Sequence, residues 1–189
     1  RWMYEESLKT PLLARWPGVI EPGGVNRNDI VSNLDFAETF LDIAGLPVPG
    51  DMQGRSLVPL FRGETPKDWR RSFYYHYYEY PGAHSVARHY GVTNGAQKLI
   101  HYYELGEWEL FDLAKDPNEL TSVYGQPEYA GIQKQLGDEL TRLRTEFKLP
   151  AEDPEESRPK KRQPQPGKQK GKGKANPGKG AKAAPKKAA

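Results

Sequence analysis

The last large apolar residue of this chain is Leu149; from there to Ala189 the sequence has no Val, Ile, Leu, Met, Phe, Tyr or Trp. Any core must therefore come from the first 149 of its 189 residues. A stretch without large apolar side chains buries too little surface to offset the entropy of ordering its backbone. Residues 158–189 carry 12 Lys/Arg and no Asp/Glu among Pro, Gly, Gln and Ala, so they read as a disordered basic tail. Subtracting those 12 from the 28 basic residues of the chain leaves 16 against 25 acidic ones. The formal charge of +3 is thus the sum of two unlike parts, residues 1–157 at −9 and a tail at +12.

No segment reaches the roughly 18 consecutive apolar residues of a spanning helix, so no membrane span is expected. The absence of Cys excludes a disulfide framework, a thiolate metal site and a cysteine nucleophile from these residues. "GKANPGKG" at Gly173–Gly180 has the glycine and lysine spacing of a phosphate-binding loop. Gly180 stands where Ser or Thr would hold magnesium and no strand precedes it, so that reading is set aside.

Along the first 149 residues the grammar changes once. "PLLARW", closed by Pro17-Gly18, reads as a buried strand and "IEPGG" as a turn. In "SNLDFAETFLDIAG", Leu34, Ala37, Phe40, Leu41 and Ala44 recur at helical spacing; Ser32 or Asn33 can cap the start, and Gly45 and Pro47 stop it. A short helical turn is expected over Ser56–Phe61. After Trp69, "RSFYYHYYEY", "HYGVT", "QKLIHYY" and "EWELFDL" favour strands, with Asn94-Gly95 as a hairpin signal. Ile132, Leu136, Leu140, Leu143 and Phe147 then mark a long amphipathic helix between Pro127 and Pro150. The expected architecture is a partial α/β layer edge over 1–68, a small α+β domain with an antiparallel sheet and a long helix over 69–150, and a tail over 151–189.

Four segments in order, "YEESLKTPLLARWPGVIEPG", "LDFAETFLDIAGLPVP", "MQGRSLVPLFRG" and "WELFDLAKDPNEL", resemble the C-terminal part of sulfatases of the alkaline-phosphatase superfamily. The arylsulfatases and N-sulfoglucosamine sulfohydrolase-like enzymes belong there. The resemblance covers about residues 1–147, with Phe111 where the family has Tyr. It implies hydrolysis of sulfate esters by a formylglycine nucleophile beside a calcium ion. Neither the Cys/Ser-x-Pro/Ala-x-Arg motif that yields formylglycine nor a close pair of metal-binding Asp residues is present. The family's sulfate-binding Lys falls immediately before the segment matching "RWMYEES". The resemblance therefore implies a fragment that begins where the catalytic half ends and does not turn over alone. Its parent would hold the calcium and be periplasmic or secreted, since the family's bacterial members are mostly exported. Such a fragment is expected to expose the apolar faces of "PLLARW" and helix 34–44, and so to aggregate or be partly molten.

What remains is pocket-shaping sequence. "YYHYYEYPGAHSVARHYGV" gathers His76, His84 and His89 around Arg88 among tyrosines, the side chains that bind sugar hydroxyls and anionic groups. By the resemblance the corresponding loop reaches the sulfated sugar, which puts His84 and Arg88 first as substrate-binding residues, with His89 and His76 beside them. For His76 the competing reading is an ordinary strand residue. Glu5 and Glu6, taken as strand neighbours on opposite faces, are expected to be structural, as is Lys9. Asp112 and Asp116 read as turn and cap residues rather than calcium ligands. The expected partner is a sulfated carbohydrate, with a possible polyanion contact through the basic tail. A non-catalytic polyanion-binding remnant and a phosphatase or phosphonate hydrolase are the alternatives.

Overall fold

The structure, a computed structural model, describes residues 1–80, 84–150 and 153. The basic tail lies outside the described residues. β1 (Phe73–Tyr77), β2 (His89–Thr93), β3 (Gln97–Tyr102) and β4 (Glu107–Asp112) form one antiparallel sheet in the order β1-β2-β3-β4. Asn94 organises the β2–β3 hairpin: its Oδ1 accepts the N–H groups of Ala96 (2.9 Å) and Gln97 (2.7 Å), and Gly95 takes a φ of 85° that a side chain would resist. Pairing places Tyr74, Val92, Leu99 and Leu110 in one row across the sheet, and His76, Tyr90, His101 and Trp108 in the next row of the same face.

α4 (Ala130–Glu146), led in by a 3-10 turn at Pro127–Tyr129, covers the first of these rows. Leu136, Leu140 and Leu143, flanked by Ile132 and Phe147, pack on Val92, Leu99 and Leu110, as the helical spacing predicts. Each buried leucine contributes about 1.5–3 kcal/mol. The helix ends by its own geometry. Lys148 turns to φ 52° and donates to Thr145 O, and Leu149 donates to Arg144 O, which satisfies the last carbonyls and sends the chain back toward the uncovered row.

The N-terminal segment closes the opposite face of the sheet. Met3 is fully buried with Ile100, Tyr102 and Phe111, beside Tyr4 and Tyr75. Gly91 permits this approach, because a Cβ there would lie 2.3 Å from Leu99 O and 2.6 Å from Met3 Sδ. Glu5 and Glu6 are not strand neighbours: they open the helical turn α1 (Glu5–Leu8). Lys98 Nζ, near the start of β3 and fully buried, reaches Glu5 Oε1 at 2.8 Å and Glu119 Oε1 at 2.7 Å, and Glu119 Oε2 accepts the Glu5 N–H at 2.6 Å. That three-way pairing fixes α1 as a turn, and Lys9 adds an ion pair to Glu5 at 3.8 Å.

"PLLARW" forms no strand. Leu12 and Leu13 are 42% and 92% exposed, and no neighbour among the described residues pairs with the run; without one, its backbone groups are left to water. α2 (Asp35–Ile43) forms as the spacing predicts. Ser32 N–H donates to Asp35 Oδ2 (2.7 Å) at its start, and Gly45, at φ 67°, closes its end. Its buried residues are nevertheless polar: Asp35, Glu38 and Thr39 are at most 3% exposed, while Leu34, Phe36, Phe40 and Ile43 face solvent. The exposure of the apolar faces of "PLLARW" and this helix is as expected of these residues alone.

The polar face of α2 receives the loop before α3 (Val58–Phe61). Gly54 N–H donates to Glu38 Oε1 (2.6 Å), Arg55 N–H to Asp35 Oδ1 (2.9 Å) and Leu57 N–H to Thr39 Oγ1 (2.8 Å). Only glycine fits at position 54, where a Cβ would lie 2.2 Å from Leu34 O. Arg70 grips both oxygens of Asp35, tying α2 to the start of the sheet region. The motif "QGRSL" is thus a loop whose backbone N–H groups are taken by buried side chains.

Candidate functional site

β1 and the approach to β2 bring His76 and Arg88 to one place, on the sheet row that α4 leaves open. A carboxylate from the segment after α4 joins them. Arg88 Nη1 donates to Asp153 Oδ2 at 2.8 Å, Tyr103 OH donates to the same oxygen at 2.6 Å, and His76 Nε2 lies 3.6 Å from Asp153 Oδ1. Arg88 Nη2 pairs with Glu104 Oε1 at 2.6 Å, which leaves Arg88 Nε buried and without a hydrogen-bond partner. The side chains of His76, Arg88 and Asp153 are 10%, 13% and 11% exposed.

Aromatic rings wall this cluster. Tyr78 lies against the His76 ring at 3.8 Å, Tyr103 stacks on Tyr90, and the Arg144 guanidinium sits 4.2 Å above Tyr90 while donating to Tyr74 OH. Tyr74 OH meets His76 Nδ1 at 3.0 Å. Burial lowers the His76 pKa to about 4, outweighing the opposing pull of Asp153, so the ring is neutral near pH 7. Burial, with the hydrogen bond to Asp153 behind it, pushes the Tyr103 phenol well above its ordinary range, so it stays a donor. The Arg88 guanidinium is held charged chiefly by its hydrogen bond to Glu104. The cluster can hold and orient an oxyanion; it contains no activated nucleophile.

The other two sequence candidates lie elsewhere. His89 projects to the opposite face and is fully buried among Trp2, Tyr75, Tyr77 and Tyr102, with ring centroids 5.2–5.8 Å away. Its Nδ1 faces Ala87 O at 2.8 Å, its Nε2 has no hydrogen-bond partner, and burial lowers its pKa. It reaches no solvent, so contact with a substrate would require the N-terminal segment to move. His84 is exposed in a turn. Asp112 Oδ1 accepts Ala114 N–H and Asp116 Oδ2 accepts Thr121 N–H, the turn and cap roles expected of them. Among the described residues no three His, Asp or Glu side chains gather as a metal ion needs, so these residues offer calcium no fitting site.

Residues 1–146 match the family described as N-sulphoglucosamine sulphohydrolase, C-terminal. The chain belongs to this family. It is 47% identical over 159 residues to an N-acetylglucosamine-6-O-sulfatase of Bacteroides thetaiotaomicron, covering 82% of this chain and 28% of that protein. A solved structure of a protein in complex with its substrate D-glucosamine-2-N,6-O-disulfate superposes with a TM-score of 0.59 at 50% identity, over 60% of this chain and 24% of that one. A phosphonate monoester hydrolase from Silicibacter pomeroyi superposes equally well, at a TM-score of 0.60, but at 26% identity over 70% of this chain and 28% of that one. The chain thus spans about a quarter of the length of the relatives it matches.

Two parts of this sulphohydrolase C-terminal unit escape sequence reasoning. Asp153 sits where composition already reads as tail, and nothing local marks it as a partner of Arg88. Lys98 did carry a signal: a lysine whose strand face continues with Ile100 and Tyr102 has to be paired or exposed, and here it is paired.

Proposed function

We propose that this chain is the C-terminal portion of a formylglycine-dependent sulfatase that hydrolyses sulfate esters on a carbohydrate, and that it supplies structural closure and part of the sugar pocket. The observation that carries this is the 47% identity to an N-acetylglucosamine-6-O-sulfatase. Fold alone does not choose the reaction, because a phosphonate hydrolase superposes as well as the complex with a disulfated glucosamine; identity favours the sulfatase, 47% to the N-acetylglucosamine-6-O-sulfatase against 26% to the phosphonate hydrolase. The nucleophile and calcium belong to the part of the polypeptide that these residues do not include. The exposed side chains of Leu34, Phe40 and Ile43, with Leu12 and Leu13, are the surface on which that part packs.

In the pocket, Arg88, His76 and Tyr103 orient an anionic sugar substituent, Arg88 by charge and the other two by hydrogen bonding at their ring nitrogen and phenol. His84, exposed beside them in sequence, remains a contact candidate. The division at about residue 68 separates the part that closes the α/β layer from the part that shapes the pocket. The protein acts outside the cytoplasm, and the tail adds a salt-sensitive contact with polyanions. Among the described residues no helix is long and apolar enough to cross a membrane.

The test is to express the longest open reading frame containing these residues and measure sulfate release from N-acetylglucosamine 6-sulfate and other sulfated sugars. Release from a sulfated sugar supports the reading. A protein that cleaves only phosphonate or phosphate esters, or none of these, overturns it.

A further inference from the structure

We propose that a cleft lined by Asn28, Asp29, Lys67, Arg71 and Asn94 is a second binding site, for an anionic saccharide, at the end of the sheet opposite the pocket at His76 and Arg88. The sugar part of that ligand rests on the sulfatase reading; the anion site does not.

Three observations carry it. First, the fold builds the cleft. It encloses about 400 Å³, within the range of small-molecule pockets, between the 26–30 loop, the segment before β1 and the β2–β3 hairpin. Asp29 Oδ2 accepts Asn26 Nδ2 at 2.7 Å and Thr65 Oγ1 at 2.8 Å, and Trp69 Nε1 donates to Ile30 O at 3.1 Å, so the first two walls are tied to each other. Asn94, on the third wall, is fixed by the hairpin N–H groups that its Oδ1 accepts.

Second, the cleft holds available cations. Arg70 is taken by Asp35, but neither the Lys67 ammonium nor the Arg71 guanidinium has a carboxylate or hydrogen-bond partner among the described residues, and both residues are exposed. They stand out in a part of the chain whose net charge is −9 and where cations such as Arg1, Arg55 and Arg142 are paired with acids.

Third, the groups beside them suit an acidic sugar better than a bare ion. Lys67 and Arg71 take a sulfate or carboxylate substituent, while the Asn28 amide and the Asp29 carboxylate exchange hydrogen bonds with hydroxyls. The same Asp29 charge repels a small inorganic dianion, which has no hydroxyl to offer it.

Arg88 precedes β2 and Asn94 follows it, so the five residues of β2, about 17 Å of strand, separate the two sites. A monosaccharide in the pocket does not reach the cleft. A longer acidic chain held at the cleft raises the local concentration of its other units at the pocket.

The experiment uses the full 189-residue chain with isotope-labelled tryptophan. The indole N–H resonance of Trp69, on the cleft wall, reports this site, and those of Trp2, Trp16 and Trp108 are internal references. N-acetylglucosamine 6-sulfate, glucuronic acid, inorganic sulfate and unsulfated N-acetylglucosamine are titrated at constant ionic strength into the parent chain, Lys67→Gln/Arg71→Gln and Arg88→Gln, with thermal melts to confirm folding. The tail is present in all three, so a difference between them belongs to the substituted site. We expect a saturable shift of Trp69 with an acidic sugar, the tighter of the two naming the anion. Its affinity falls about tenfold in Lys67→Gln/Arg71→Gln, the loss for two partly exposed charge contacts, and is unchanged in Arg88→Gln. A Trp69 resonance that neither acidic sugar moves, a shift of undiminished affinity in the double variant, or one lost in Arg88→Gln overturns the site. Inorganic sulfate binding as tightly as the acidic sugars overturns the saccharide part, and the unsulfated sugar doing so overturns the role of charge. None of these readouts depends on turnover, so failure of the sulfatase reading and failure of the cleft are separable.

Discussion

Replacing Lys98 with methionine tests how the N-terminal segment is held to the sheet. The ammonium is fully buried, 2.7 Å from Glu119 Oε1 and 2.8 Å from Glu5 Oε1, and the Glu119 side chain is 1% exposed. At an effective dielectric constant of about 20 each contact is worth roughly 6 kcal/mol of Coulomb attraction. Most of that is cancelled by taking three charges out of water. Methionine fills nearly the same volume, so the loss is electrostatic: Glu119 is left buried opposite a thioether, at a cost of about 3–5 kcal/mol. That is a large part of the roughly 5–15 kcal/mol that stabilises a domain. Urea melts followed by far-UV circular dichroism should show the loss. Lys98→Met/Glu119→Gln should recover most of it, because the second substitution removes the stranded charge. A Lys98→Met variant within about 1 kcal/mol of the parent, or single effects that simply add, would refute the reasoning.

Three further outcomes are expected. His76 has a folded pKa of about 4 against an ordinary 6.5, so the unfolded chain takes up its proton first. Its contribution is full above pH 6.5 and is lost as pH falls toward 4, by about 2 kcal/mol after allowing for partial solvation. His76→Phe should flatten that part of the pH–stability curve, and an unchanged curve would count against it. Gly91→Ala drives a methyl group against Leu99 O and Met3 Sδ, and should cost about 1–3 kcal/mol and raise acrylamide quenching of Trp2. Phe40→Asp, at a side chain 69% exposed, should leave this chain's stability within about 0.5 kcal/mol while reducing its self-association and weakening the longer polypeptide. Loss of stability in the chain alone would show that Phe40 packs within it.

The sheet and α4 were legible in the sequence because their signals are local and periodic. Alternating strands around Asn94-Gly95 and the steps from Ile132 to Phe147 each specify a face without reference to distant residues. "PLLARW" misleads for the same reason: an apolar run says that a segment wants a partner, not that one is present. The four site candidates form one group in the sequence only because they are close along it. Pleat alternation sends His89 to the face opposite Arg88, and so separates two adjacent residues.

The sequence by itself determined the extent of the core, the order of helices and strands from Asp35 onward, the hairpin and the family, since each rests on short-range pattern or on ordered motifs. Only the tertiary structure decided that Asp153 returns to Arg88, that Glu5 and Glu119 meet on Lys98, and that α2 buries its acidic side. Those pairings join residues 65, 93 and 20 positions apart in the chain. No local pattern encodes them; they follow from the demand that every charge removed from water find an opposite charge or a hydrogen-bond donor where the fold happens to bring one.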